Sequence, residues 1–399
     1  MNKKYLILSS ILFMLTGCNK VDNPNNIVPT KKEDFIPEVG EVKLLFEHGT
    51  IGESKYYDYC PSIFIENNES HVYYCTNKDE GNVTDYVGYK NGKIINDKVV
   101  YPSEMNYALT HGEHGSWDSR HACDPSVIKG EFKFHNETYN YLMAYLGCVP
   151  SDCTLNETGI AVSKSPSGPW IKCDFKSDGV TKINPIVKYS EFDCNDSSWG
   201  TGQPSLVSVD KKGRVLLFTT IGAKNGTFTN LREYDFSDID NFKLIRERKA
   251  INTTGIRGTG ANANMINNAD FAYDEVKNRI IVTKPRQFFG TDGKAPNFIA
   301  DTIDVYYIDN DGSSVGEVFF KGNNTTASWK LIGTINQELT GFLRNHNTGL
   351  ITDEFARIIQ GKNLGVAFTR SDESAGGSDW GHLSTYRIYA TGMKLPSDY

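Results

Sequence analysis

The chain has 399 residues, of which 12% are aromatic, and its formal net charge is −7 at pH 7. It contains no basic run, which argues against nucleic acid as a partner. Helical periodicity is weak throughout, whereas Tyr, Phe and Gly are frequent, so the composition predicts an all-β protein.

The N-terminal segment has the features of a bacterial lipoprotein signal. Two lysines precede an apolar stretch from Tyr5 to Leu15, which is typical of a secretory signal rather than a membrane-spanning helix. The stretch LTGC then ends at Cys18 and resembles a lipobox. We therefore predict that residues 1–17 are a signal peptide, that Cys18 carries a lipid anchor, and that residues 18–40, which are polar and aperiodic, form a flexible tether.

The predicted domain, residues 41–399, contains seven of the cysteines. An exported protein can keep disulfides, and an odd number leaves at least one free thiol. Cys148 with Cys153 and Cys173 with Cys194 are the pairs we expect, although connectivity cannot be deduced from sequence. The chain has no C-x₂-C zinc pattern, so we expect no structural zinc site.

A repeat of about 64 to 79 residues is visible along the chain, and its length suits a propeller blade. Each copy has a small or polar start, an apolar strand, a polar turn and a second strand rich in Tyr, Val and Phe, which predicts a β-hairpin. The copies span residues 59–77, 123–147, 202–222, 266–285 and 345–369. Third strands are predicted at 87–89, 159–163, 231–235, 303–308 and 384–390. The pattern predicts a five-bladed β-propeller; a pair of β-sandwiches would not explain five matched openings.

The first strand of each blade lies nearest the propeller axis, so its opening residue is expected to face the central cavity. Aligning the openings gives one polar or reactive residue in each copy. These are Cys60, Asp124, Gln203, Asn267 and His346. A purely structural cavity would be filled more favourably by apolar side chains, so this set indicates a functional site.

Three stretches carry a resemblance to a known group of enzymes. They are DPSVI at 124–128, YLMAYLG with GIAVSKSPSGPW at 141–147 and 159–170, and RNHNTG at 344–349. In these stretches the chain resembles the five-bladed propeller glycosidases of glycoside hydrolase family 43 and its relatives in families 32, 117 and 130. The resemblance covers most of residues 45–390. It implies hydrolysis of an oligosaccharide or polysaccharide in an axial pocket.

The resemblance also implies a set of three carboxylates, of which this chain matches one. Family 43 has a base aspartate opening blade one, a second aspartate opening blade two and an acid glutamate opening blade three. Asp124 matches the second, but Cys60 and Gln203 stand at the other two places. Neither can replace a carboxylate in acid–base work. Either the acid and base have moved, or the protein binds glycans without cleaving them, because fold alone does not decide.

Asp124 is therefore one expected catalytic carboxylate, although an aspartate before proline is also a common turn residue. The second carboxylate is expected from Glu157, Asp58 or Asp270. Inverting and retaining mechanisms both stay open, because the separation of the two carboxyl groups distinguishes them.

Further residues are expected to bind substrate at the openings and in nearby loops. They are Cys60, Trp117, His121, Gln203, Asn267, His346 and Trp380. His121 could instead serve as an acid, and the resemblance places His346 near a central metal ion or the substrate. Loop tryptophans, Trp199 among them, suit stacking on sugars or plugging a blade junction.

The predicted chemistry requires no cofactor, and a structural calcium ion at the axis is a further expectation. We expect a monomer that contacts the membrane only through its anchor. Asn19 after the lipidated cysteine favours the outer membrane of a bacterial envelope. The alternatives are a non-catalytic glycan-binding surface lipoprotein and a purely structural envelope propeller.

Overall fold

The computed structural model describes residues 31–51, 53–149, 153–257, 265–286, 299–322, 326–361, 363–371 and 379–399, with the backbone alone at 379 and 380. In these ranges nearly all regular structure is β-strand. The strands are β1 Val42–Leu44, β2 Asp58–Glu66, β3 Glu69–Asn77, β4 Asp85–Ile95, β5 Lys98–Val100, β6 Asn106–Leu109, β7 His121–Phe134, β8 Glu137–Cys148, β9 Glu157–Ser163, β10 Ile171–Lys172, β11 Gly200–Ser208, β12 Arg214–Ala223, β13 Gly226–Asp235, β14 Lys243–Arg248, β15 Asp270–Asp274, β16 Arg279–Pro285, β17 Ile303–Asp309, β18 Lys330–Ile335, β19 Arg344–Asp353, β20 Leu364–Ser371 and β21 Arg387–Met393. The helices are short: α1 Glu317–Phe320, α2 Gln337–Thr340, α3 Asp379–Leu383, and 3₁₀ turns at Lys32–Phe35, Tyr189–Glu191 and Ile239–Asn241.

The strands form a β-propeller, as the sequence predicted. Three sheets have four strands each, in the orders β10-β9-β8-β7, β11-β12-β13-β14 and β15-β16-β17-β18. The first and last repeats share one nine-stranded sheet, because β19 pairs in parallel with β2. Strand β1, from before the first repeat, pairs with β21 of the last repeat. This exchange joins the two ends of the chain.

Each predicted hairpin corresponds to an inner strand and its antiparallel partner. The inner strands are β2, β7, β11, β15 and β19, and the predicted third strands fall in β4, β9, β13, β17 and β21. One non-glycine residue with a positive φ lies at the third or fourth position of four inner strands and two residues before the fifth, β15. These residues are Cys60 (53°), Asp124 (46°), Gln203 (47°), Asn268 (45°) and Asn347 (38°). Such values are uncommon outside glycine, so their recurrence marks the equivalent positions of the five copies.

These five residues are called the axial ring below. In β2, β7, β11 and β19 the pairing register with the next strand shifts at the ring residue, which is the mark of a β-bulge. A bulge bends the strand and redirects a side chain. In these four strands the side chain of the ring residue therefore does not follow the regular alternation of side chains between the two faces of the sheet.

The residue two places after each ring residue joins its strand to the next one. In four copies the side chain of this residue accepts a hydrogen bond from a main-chain N–H of the next inner strand. The donor–acceptor pairs are Val127 to Ser62 (3.4 Å), Leu206 to Ser126 (2.9 Å), Phe271 to Ser205 (2.9 Å) and Leu350 to Asp270 (2.8 Å). The equivalent residue in β19 is Gly349, where an added Cβ would lie 2.2 Å from the Pro61 carbonyl oxygen. Glycine is required there because the β19 and β2 backbones pair directly. These five positions are called the bridging positions.

Apolar side chains fill the space between neighbouring sheets. Phe218 of β12 stacks on Phe271 of β15 with ring centroids 3.9 Å apart and planes 7° apart, and both rings are buried. A well-oriented aromatic pair contributes about 0.5–1.5 kcal/mol beyond the area that it buries. The core thus holds the bridging positions, and through them the axial ring, in fixed places.

Residues 31–40, predicted as the end of the tether, pack on the propeller instead. Phe35 is buried, and Lys32 pairs with Glu354. A single short apolar pair, Phe35-Ile36, gives no periodicity from which this packing could be predicted. The predicted signal peptide, the predicted lipidation site Cys18 and residues 19–30 lie outside the described residues. Among those that are described, no helix is long and apolar enough to cross a bilayer.

Candidate functional site

The axial ring is a chain of direct contacts. The Cys60 thiol hydrogen-bonds to the Asp124 carboxylate, which also accepts the main-chain N–H of Gln203. Gln203 Oε1 in turn accepts the N–H of Asn268 at 2.9 Å. Four of the five ring residues, from consecutive blades, are therefore linked to one another.

Thr369 connects the fifth ring residue, Asn347, to Cys60. Its hydroxyl accepts the N–H of Cys60 at 3.2 Å and donates to the Asn347 carbonyl at 3.3 Å. The predicted members Asn267 and His346 each precede the actual ring residue by one position. In the first three blades a proline follows the ring residue and fixes the alignment, but no proline follows Asn268 or Asn347.

Asp124 is the one carboxylate among the five ring residues. Its side chain is almost fully removed from solvent, with 7% of the residue exposed. Burial raises the pKa of Asp124 to about 7, against the opposing effect of the Cys60 hydrogen bond; the negative charge of Asp85 raises it further. A carboxyl group with this pKa exists in both protonation states near neutrality.

A disulfide between Cys75 and Cys123 lies beside Asp124. It links β3 of the first blade to β7 of the second, and the Asp124 N–H donates to Cys75 Sγ at 2.8 Å. Cys148, Cys153, Cys173 and Cys194 form no disulfide, so both predicted pairings were wrong. Sequence spacing did not predict the disulfide, because Cys75 and Cys123 are 48 residues apart and only the packing of two blades brings them together.

Asp85 and His121 form a buried pair at the start of β4 and β7. His121 Nδ1 lies 2.8 Å from the Asp85 carboxylate, and Tyr57 donates its hydroxyl to the same carboxylate at 2.8 Å. Burial lowers the pKa of His121, but Asp85 outweighs it and raises the pKa to about 10. A histidine held in this way is a poor general acid near neutrality, so the geometry does not support that role.

Glu157 opens β9, two strands out from β7 in the same sheet. It is half-buried, and burial raises its pKa to about 7, with Lys188 opposing and Glu191 adding to the shift. Neighbouring strands are about 4.8 Å apart, which puts the backbones of β7 and β9 roughly 10 Å apart. Glu157 is thus a second titratable carboxyl group in the same sheet as Asp124.

The other two predicted carboxylates are held elsewhere. Asp58 is fully buried and pairs with His48 Nδ1 at 2.9 Å, so it cannot reach a substrate. Asp270 occupies a bridging position and accepts the Ser205 hydroxyl at 2.7 Å as well as the Leu350 N–H. Burial raises the pKa of Asp270 to about 6, although both hydrogen bonds lower it. Neither geometry favours a role as base.

The tryptophans divide between the two roles considered for them. Trp117 fills a blade junction, because it packs on Tyr145 and lies so close to Gly159 that a Cβ there would be 2.4 Å from its ring. Trp199 and Tyr59 are partly buried and pack, as Cys60 does, against the cluster of Cys75, Cys123 and Leu146 beside the axial ring. Trp380 belongs to α3, and its side chain lies outside the described residues. Trp199 and Tyr59 are the aromatic groups available for a ligand at the ring.

His346 is buried and lies behind the ring rather than in it. Its Nδ1 is 3.4 Å from the Ala300 N–H, and burial together with nearby His382 and Arg344 lowers its pKa to about 3. The imidazole therefore stays neutral. Tyr59 was not among the predicted site residues, although it stands directly before Cys60 in the sequence.

Two surface cavities lie away from the ring. One of about 290 Å³ is lined by residues that include Lys32, Glu275 and Arg357, and one of about 470 Å³ by residues that include Phe35, Tyr101 and Ile351. Neither includes a ring residue. The ring is reached by solvent through its half-exposed members, Cys60, Gln203 and Asn268.

Comparison with known proteins finds the same fold in several solved structures. The family 117 glycoside hydrolase Zg3597 of Zobellia galactanivorans is 13% identical, with a TM-score of 0.55 over 92% of this chain and 93% of that one. An α-L-arabinofuranosidase from Podospora anserina, solved with cellotriose, is 12% identical (TM-score 0.52; 90% and 99% covered). A family 43 enzyme from Xanthomonas citri is 11% identical (TM-score 0.51; 88% and 92% covered).

These likenesses show the fold. No protein-family model matches the chain, and no curated protein sequence matches it. The structural neighbours are propeller glycoside hydrolases, in agreement with the predicted architecture.

Proposed function

We propose that this protein hydrolyses glycosidic bonds at the axial ring, with Asp124 as the general acid. The observation that carries the proposal is the state of Asp124: a ring carboxyl group, 7% exposed, whose pKa is raised to about 7. A carboxylic acid that keeps its proton near neutrality can protonate a leaving-group oxygen. Its positive φ and the adjacent bulge agree with this, because strained backbone concentrates at functional sites.

Glu157 is the proposed base. It is half-buried and stands two strands from Asp124 in the same sheet, so the backbones of their strands are roughly 10 Å apart. Carboxyl groups about 6.5–9.5 Å apart belong to inverting enzymes. Glu157 would take a proton from water as the water attacks the anomeric carbon, while Asp124 protonates the departing oxygen. The product would have inverted configuration.

Non-catalytic glycan binding is the second candidate function. The ring holds a thiol at Cys60 and an amide at Gln203, where the family 43 pattern has two of its three carboxylates. Trp199 and Tyr59 beside the ring would supply the stacking surface that sugar recognition uses. Asp124 would then accept hydrogen bonds from sugar hydroxyl groups.

Short oligosaccharides are the proposed ligand class. Structural neighbours include enzymes solved with cellotriose and xylotriose. The reaction needs no cofactor. For a structural calcium ion, Asp124 and the unpaired buried Asn347 Oδ1 are oxygen ligands of a suitable type, whereas the Cys60 thiol is not. Calcium at the ring therefore stays a proposal that would depend largely on water ligands.

The cellular setting is proposed from the N-terminal sequence. A chain cleaved before Cys18 and lipidated there would act as a monomer on the surface of a bacterial outer membrane or beneath it. Metabolic labelling with a fatty-acid analogue, compared between the full chain and Cys18→Ser, tests this point.

The test of function is product release from plant, algal and host oligosaccharides, followed by chromatography. We expect Asp124→Asn to lower kcat by about 10²–10⁴-fold and Glu157→Gln to do the same, since each removes one proton transfer. Asp97→Asn is the matched control, because Asp97 is an exposed aspartate that also has a positive φ, of 60°. The anomeric configuration of the first product, read by NMR, checks inversion.

The outcomes separate the two candidates. Binding of a glycan by calorimetry without any product, in wild type and variants alike, would replace hydrolysis by recognition. Full activity in Asp124→Asn would remove Asp124 from the mechanism. Neither binding nor cleavage across the panel would contradict both functions.

A further inference from the structure

Three potential metal ligands meet where β7 begins and β8 ends. The ligand atoms of His121, Cys148 and Cys153 all lie within 4.8 Å of one another. Neither cysteine belongs to a disulfide; His121 and Cys148 are buried, and Cys153 is partly exposed. We propose that these three residues bind a zinc ion, at a site that goes beyond the proposed hydrolase function.

The distances fit tetrahedral coordination. Zinc binds thiolate sulfur at about 2.3 Å and imidazole nitrogen at about 2.0–2.1 Å, so a tetrahedral site separates the two ligand atoms by about 3.6 Å. His121 Nε2 and Cys153 Sγ are 3.5 Å apart. One zinc ion therefore fits between them with little movement of either side chain.

The second ring nitrogen of His121 is already fixed in the way that metal sites require. Nδ1 faces the Asp85 carboxylate at 2.8 Å, and the Tyr57 hydroxyl holds the same carboxylate at 2.8 Å. A carboxylate on the far nitrogen orients a metal-bound imidazole and increases its basicity. Asp85 is thus a positioning residue, and Nε2 is the nitrogen left for the ion.

The ligand types select the ion. Two thiolates and an imidazole favour zinc and similar borderline or soft ions over calcium and magnesium, which prefer oxygen. Three protein ligands also leave one coordination position for water or another ligand. The prediction that the chain has no zinc site relied on the missing C-x₂-C pattern, whereas here the spacing is Cys-x₄-Cys with a histidine from the neighbouring strand.

Metal content of the full chain tests the site without any glycan. The protein is purified with a mild reductant, loaded with zinc chloride, dialysed, and analysed by elemental mass spectrometry. We expect about one zinc ion per chain in the wild type and loss of most of it in Cys153→Ser. Cys194→Ser is the control, because Cys194 is also a free, partly exposed thiol but lies outside the cluster; it should keep its zinc.

Asp85→Asn separates a positioning role from a structural one. We expect zinc affinity, measured by competition with a chromogenic chelator, to fall about 10–100-fold while the saturated stoichiometry is unchanged. Equal zinc in wild type and Cys153→Ser would overturn the site. A Cys148–Cys153 disulfide that re-forms in air and abolishes zinc binding would overturn it as well. Because no substrate is used, failure here is distinct from failure of the hydrolase proposal.

Discussion

Asp124 and Asp270 are both aspartates at the openings of inner strands, and burial raises the pKa of both. They differ in their place in the repeat. Asp124 is a ring residue in a left-handed conformation, whereas Asp270 stands two residues further on, at a bridging position. Both Asp270 oxygens accept hydrogen bonds from neighbouring strands, so its carboxylate is engaged in holding the ring closed.

The comparison shows that a raised pKa alone does not identify a catalytic carboxylate. Three of the five bridging positions carry serine, whose hydroxyl performs the same joining role. Asp270 thus stands where three other copies of the repeat have a structural serine. Asp124 stands where the other copies have a thiol or an amide. A difference of two positions in the repeat separates the aspartate proposed as the general acid from the aspartate that bridges strands.

The largest effect on stability is expected at Asp270. Asp270→Ala leaves the Leu350 N–H and the Ser205 hydroxyl without their acceptor, and should lower the free energy of unfolding by roughly 2–5 kcal/mol. Asp270→Ser should be milder, because serine serves at the equivalent place in three other blades. Urea denaturation at pH 7 measures both. Equal losses for Ala and Ser would mean that the bridging role is misassigned.

At Asp124 we expect a variant that is more stable than the wild type, by a margin that grows as pH rises. Its folded pKa, about 7, exceeds the unfolded value of about 3.9, so the native state binds the extra proton between these values and stability falls as pH rises through them. Asp124→Asn removes this loss: it should match the wild type near pH 4 and exceed it by up to roughly 4 kcal/mol at pH 8.

The measurement for Asp124 is the urea midpoint between pH 4 and pH 8. Asp97→Asn, at an exposed positive-φ aspartate, provides the control and should follow the wild type throughout. A constant difference between Asp124→Asn and wild type across this range would show that the carboxyl group titrates normally in the folded protein.

The smallest effect is expected at Cys60, where substitution tests the hydrogen bond between Cys60 and Asp124. Its thiol donates to Asp124, and burial raises the pKa of Cys60 well above its usual value, so it stays protonated. Cys60→Ser keeps a donor and should change the free energy of unfolding by less than about 1 kcal/mol. Cys60→Ala removes the donor and should lower the free energy of unfolding by about 1 kcal/mol. If Cys60→Ser and Cys60→Ala are equally stable at pH 8, the hydrogen bond from Cys60 to Asp124 does not stabilise the ring.

Part of the site could be predicted from residues alone. The X-Pro-Ser openings at Cys60, Asp124 and Gln203 align because proline and the following serine repeat in all three. The last two openings have no such marker, and the predicted alignment there was one residue early, at Asn267 and His346. The alignment could not be read from strand alternation, because a β-bulge lies at the ring residue in four of the five inner strands.

The zinc cluster and the Cys75–Cys123 disulfide could not be predicted in this way. The disulfide joins two blades, and His121 reaches the two cysteines of the cluster from the start of a neighbouring strand. The sequence indicated only that Cys148 and Cys153 lie close together, and it did so as an expected disulfide. Asp58 shows the converse: its position two residues before Cys60 suggested a base, but packing pairs it with His48 in the interior.

The sequence by itself determined the repeated hairpins, the propeller architecture and the placement of Asp124 at an inner opening. Those features follow from patterns within about 25 residues, such as strand alternation, turn residues and the Asp-Pro-Ser motif. The tertiary structure alone decided which residues close the axial ring, which aspartate bridges strands, and which cysteines pair. These depend on distances between blades, and such distances are set only when the strands assemble around a common axis.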